Sequence, residues 1–144
     1  MVKKPEKESF LVIFPIFFFI IASSLFSQTI AGKIVSFEDS PLDIDNDGLY
    51  EVLVVDASIE VNESTIFTLE AGLYKGENLI IKSYNSGHLE AGVNKVKINF
   101  EGKRIKEAKL DGPYTLTIIL YDKHRQQISK ITAETSFYRY EDFE

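Results

Sequence analysis

Residues 43 to 51 read DIDNDGLYE, which sets Asp43, Asp45, Asp47 and Glu51 around a single Gly48. Like charges repel, so a chain that crowds carboxylates this closely needs a reason for it. Aspartates at alternate positions followed by glycine wrap oxygen ligands around a hard cation. Calcium takes about six to eight oxygens, and the glycine permits the sharp turn. Counted along an EF-hand loop, the three aspartates and Gly48 fill the first six positions in the expected order. The place of the closing bidentate glutamate, however, is Val54, and Glu51 arrives three residues early. The adjoining stretch, YEVLVVDASIEV, has the pattern of a strand and not of a helix. The acidic segment is therefore read as a calcium loop leading into a strand.

The loop alone does not supply enough oxygens. The acid-rich YEDFE, with Glu141, Asp142 and Glu144, is the distant segment suited to complete the shell. Asp142 is accordingly placed with Asp43, Asp45, Asp47 and Glu51 as a metal ligand. An ion held this way would tie the first strand region to the last, and binding would couple to folding. That matters in a chain without cysteine, which gets no disulfide. Magnesium fits less well, because it favours fewer protein oxygens and keeps its waters. The competing reading is a solvated acidic turn, since Asp-Gly is common turn chemistry. Three alternating aspartates exceed what a turn requires.

Other chemistries find little support. The histidines are His88 and His124 alone, each in a turn-like setting, so a zinc site of His and Cys is excluded and no Ser-His-Asp arrangement suggests itself. The carboxylates have metal spacing rather than that of a glycosidase pair, and no tryptophan is present as a sugar platform. GKIVSF lacks the glycine and lysine order of a phosphate loop. The chain is read as a non-enzyme.

Charge points the same way. Setting aside residues 1–32, 13 basic residues stand against 20 acidic ones. Between Lys33 and Lys75 there is no base at all, a field that repels nucleic acid and attracts cations. The bases of KVKINFEGKRIKEAK are read as a solvated face, and the aromatics of SFYRYEDF as a closing strand.

Lys3, Lys4 and Lys7 precede FLVIFPIFFFIIASSLF, an uncharged run over residues 10–26. A basic start before an apolar run is the pattern of an export signal, and this one is barely long enough to span a bilayer. Residues 1–32 are expected to be a signal peptide or membrane anchor containing one apolar helix, with residues 33–144 outside the cytoplasm. Asn62-Glu63-Ser64 is a glycosylation triplet compatible with export. A pilin-like or filament-forming subunit is the alternative, but EKESF before the apolar run lacks the small residue such processing needs.

Beyond residue 33 the apolar period is two. Leu53 to Val61, Phe67 to Leu73, Val96 to Phe100 and Tyr114 to Leu120 each alternate apolar and polar residues, as strands with one dry face do. Weaker strands are expected at 33–37, 78–84 and 131–140. Turn signals are read at Lys75-Gly76, Ser86-Gly87, Ala91-Gly92, Glu101-Gly102 and Asp111-Gly112-Pro113. KRIKEAKLDG has room for one helical turn and is read as a connection. The fold class expected is all-β: an antiparallel β-sandwich, jelly-roll or Ig-like, of about seven strands.

Four motifs in order carry a resemblance: DIDNDGLYE, then Phe100-Glu101-Gly102-Lys103-Arg104-Ile105, then Gly112-Pro113-Tyr114, then Phe143-Glu144. The chain resembles a β-sandwich module of archaeal and bacterial extracytoplasmic proteins, often appended to secreted proteases and other surface proteins. The resemblance covers most of residues 43–144 and implies a calcium-binding, non-catalytic accessory domain. Its expected partners are calcium, a protein at the cell surface and, through the N-terminal segment, the membrane.

Overall fold

The computed structural model describes residues 31–144. The expected N-terminal apolar helix lies outside the described residues. Among those residues no helix is long and apolar enough to cross a membrane.

Seven strands form two antiparallel sheets. They are β1 (Gly32–Leu42), β2 (Val52–Val61), β3 (Thr65–Lys75), β4 (Asn78–Leu89), β5 (Gly92–Glu101), β6 (Thr115–Tyr121) and β7 (Gln127–Glu134). One sheet has the order β1-β2-β5 and the other β4-β3-β6-β7. Seven strands are one short of a jelly roll. The helix α1 (Gly102–Ala108) follows β5, and a 3-10 turn (Tyr140–Asp142) comes near the end.

The alternation read in the sequence fixes which side of each strand faces inward. Leu53, Val55, Ala57 and Ile59 of β2 are fully buried, as are Leu69, Ala71 and Leu73 of β3 and Leu116, Ile118 and Leu120 of β6. Ile98 and Phe100 of β5 complete the inner layer. Each of the larger of these, valine, leucine, isoleucine or phenylalanine, contributes about 1.5–3 kcal/mol by leaving water.

Side-chain hydrogen bonds close the two open flanks between the sheets. The Ile34 amide donates to Ser129 Oγ on one flank, and Asn85 Nδ2 donates to the Lys97 carbonyl on the other. At the start of β6 the buried Tyr114 donates its hydroxyl to the Leu110 carbonyl at 2.8 Å, forming the tyrosine corner of immunoglobulin-like sandwiches.

Three local expectations are corrected. Glu101-Gly102 starts a helix of seven residues, not a turn. Ile105 is that helix's fully buried anchor, and Lys109 ends it in the left-handed region at φ 54°. Ser86-Gly87 lies within β4, which pairs with β3 to Leu89. A side chain at Gly87 would meet the Phe67 ring at 3.4 Å. The last strand occupies 127–134 rather than 131–140, because residues 135–143 turn away to make other contacts.

Candidate metal centre

The acidic loop joins β1 to β2. Leu42 and Val52 are the last paired residues on either side, and the Glu51 amide donates to the Leu42 carbonyl at 3.1 Å. Within the loop the aspartates organise the backbone. Asp43 accepts the amides of Asn46 at 2.7 Å and Gly48 at 2.9 Å, one on each oxygen. Asp45 Oδ1 accepts the Asp47 amide, and Asp47 Oδ1 the Leu49 amide. Asn46 and Gly48 take left-handed conformations, at φ 63° and 96°, as residues tolerant of them do. The Ile44 amide donates to Glu51 Oε2 and draws that side chain back over the loop.

The result is a convergent set. One carboxylate oxygen from each of Asp43, Asp45, Asp47 and Glu51 lies within 4.8 Å of the others. No hydrogen bond among the described residues reaches Asp45 Oδ2 or Asp47 Oδ2. Glu51 Oε1 is buried with no partner. Among the described residues, no Lys, Arg or His forms an ion pair with any of the four. An orphaned buried carboxylate oxygen beside three further carboxylates is costly without a counter-charge. A donor set made wholly of hard oxygens suits a hard cation.

The electrostatics record the crowding. The Asp47 amide pulls the Asp45 pKa down, but desolvation and the charges of Asp47 and Glu51 outweigh it, and the net shift is upward. Glu51 is shifted down, chiefly by the Ile44 amide. Glu144 is shifted up, first by desolvation and then by the Asp47 charge and its contact with Glu51.

The distant acid at the loop is thus Glu144. Asp142 is not brought into the group: its carboxylate accepts the Arg139 amide at 3.1 Å. Its backbone takes part instead, since the Tyr50 amide donates to the Asp142 carbonyl at 2.9 Å and the Glu144 amide to the Tyr50 carbonyl at 3.1 Å. A 3-10 turn sets which of three neighbouring acids faces the loop, and no periodicity in the sequence signals it.

The other motifs converge on the same end of the sandwich. The Gly102 amide donates to the Glu51 carbonyl at 2.7 Å. A Cβ at Gly102 would stand 2.2 Å from the Tyr50 carbonyl oxygen and 3.0 Å from that of Glu144. Phe143 is fully buried, with its ring edge-on to Tyr50 and Tyr138 at 5.6 and 5.8 Å between centroids. Tyr138 donates to Asp39 Oδ2 at 2.6 Å, tying residues 135–144 back to β1.

No family model matches the chain, and no curated protein matches it. Among solved structures it is similar to part of beta-glucuronidase 2 of Bacteroides uniformis, in a form described as a calcium binding mutant, with TM-score 0.54 and 12% identity over 74% of this chain. Beta-glucuronidase of Bacteroides uniformis gives TM-score 0.51 and 11% identity over 74% of this chain. The aligned region is 14% of either enzyme. These likenesses show a shared sandwich and nothing finer.

Proposed function

We propose that this chain is an exported, non-catalytic β-sandwich module that binds calcium through Asp43, Asp45, Asp47 and Glu51. It is tethered to the membrane or released by cleavage, and acts as a binding or structural domain at the cell surface. The observation that carries the reading is the lack of compensation: four convergent carboxylates, one oxygen orphaned, and no basic residue paired with them. Oxygens around one calcium ion, each about 2.3–2.6 Å from it, stand up to about 5 Å apart, which matches the 4.8 Å spread. The likeness to a glucuronidase described as a calcium binding mutant concerns the sandwich and does not bear on where an ion sits.

Thermal unfolding of the purified protein in calcium and in EGTA tests the reading. At calcium a hundredfold above Kd the folded state gains about 2.7 kcal/mol, enough to raise Tm by about 10 °C in a domain this small. The double substitution Asp45→Ala, Asp47→Ala should remove that response. Identical melts with and without chelator, and no heat on titration, would end the proposal. Sequencing the N-terminus of the mature protein separates a cleaved signal from a retained anchor.

A further inference from the structure

On the outer face of the four-stranded sheet stands a group of side chains that neither the core nor the acidic loop uses. Register places them. Ser86, Thr68 and Tyr121 are opposite one another on β4, β3 and β6, and Tyr84, Glu70 and Ile119 form the next row. Side chains directly across an antiparallel pair share a face, so these rows stand together on the outside. A cavity of about 400 Å³ opens there, lined by Thr68, Glu70, Tyr84, Ser86, Tyr121 and Arg125. Pockets for small ligands run from about 300 to 1,000 Å³.

The β6–β7 turn carries Arg125 to this cavity. Asp122 Oδ1 accepts the amides of His124 and Gln126 at 2.8 and 2.9 Å, and the Arg125 amide donates to the Asp122 carbonyl. Arg125 itself takes φ 60°, a conformation that costs a non-glycine residue energy and is held here by the turn. Its guanidinium has no ion-pair partner among the described residues, whereas Lys82 is paired with Glu70 at 3.1 Å.

The lining selects among ligands. A peptide strand docks by backbone hydrogen bonds, but the backbone of β3, flanked by β4 and β6, is committed to the ladders. A helix needs aliphatic anchors, and the apolar surface here is tyrosine ring. Nucleic acid is disfavoured by the net charge of −6. A sugar ring has a C–H face that packs on an aromatic ring and an edge of hydroxyls that both donate and accept. The cavity offers two tyrosines for the face. For the edge it offers the hydroxyls of Thr68 and Ser86, the Glu70 carboxylate and a donating guanidinium. Tyr84, 60% exposed, is an aromatic left in water with nothing folded over it. We propose that this cavity binds a sugar ring of an oligosaccharide, independently of calcium.

Saturation-transfer NMR on the full chain checks this against tetrasaccharides of glucose, mannose, N-acetylglucosamine and galacturonic acid at millimolar concentration. At least one should receive magnetisation from the protein, equally in calcium and in EGTA. Tyr84→Ala and Glu70→Gln should each weaken it about tenfold, while Val93→Ala, exposed on the other sheet, leaves it unchanged. Melting curves confirm that the variants fold. No transfer to any of the four, transfer that persists in both cavity variants, or displacement by an acidic peptide would each overturn the proposal.

Discussion

Tyr50 and Phe143 form a parallel bridge between the acidic loop and the last residues of the chain, and their rings meet edge to face at 5.6 Å. The loop's position is thereby set by packing as well as by its own hydrogen bonds. Phe143→Ala should cost about 3–5 kcal/mol, the range for a fully buried phenylalanine. Because Glu144 follows it directly, calcium affinity should fall too. Denaturant titration with and without calcium reads both effects.

Gly102 is where the loop, α1 and residues 143–144 approach most closely. Gly102→Ala forces a methyl against the backbone oxygens of Tyr50 and Glu144, neither of which is a flexible side chain. The expected loss is at least the ~1–3 kcal/mol of an overpacked site. In circular dichroism melts the substitution should lower Tm whether or not calcium is present.

Acid should weaken the metal site early. The carboxyls of Asp45 and Glu144 hold their protons to higher pH than free side chains do. A raised carboxyl pKa favours the metal-free fold when protonated, and calcium must displace that proton. Affinity should therefore fall as pH drops, starting above the ordinary carboxylate range of about 4. Glu51, shifted down, keeps its charge to lower pH and contributes no such early loss. Calorimetric titrations from pH 7 to pH 4.5 follow this.

Alkaline pH should unfold the protein by a different route. Burial pushes Tyr114 up to about 12, and burial with the Asp39 contact raises Tyr138 as well. Both are neutral in the fold where the unfolded chain would ionise near 10. The stability they contribute is complete below pH 10 and is lost as pH rises from 10 toward 12. Tyr138→Phe removes its share of this dependence. It also removes the bond to Asp39, which as a charged bond contributes about 1.5–3 kcal/mol, less here for partial exposure.

The sandwich was legible because burial on one face imposes a period of two. The inner residues of β2, β3, β5 and β6 are the ones that alternation alone marks as apolar. The helix α1 was not, since one buried isoleucine in seven residues makes no periodic signal. Gly87 was read as a turn because glycine is ambiguous; here it pairs with Phe67 of β3 in a continuous strand. The acidic loop announced itself through local spacing. Its distant neighbour did not, because choosing Glu144 over Asp142 depends on how a 3-10 turn sits against Tyr50. The outer cavity was invisible for a similar reason. The chain has no tryptophan, and Tyr84 and Tyr121 come together only through their separate pairings with β3.

β1 begins at Gly32 opposite Val61 and runs eleven residues before the acidic loop. At about 3.3 Å per residue that is roughly 35 Å, the full height of the domain. Whatever precedes Gly32 therefore joins the pole opposite the carboxylates. In a molecule held to a bilayer by that segment, the ion would sit at the summit, facing the surroundings and away from lipid headgroups.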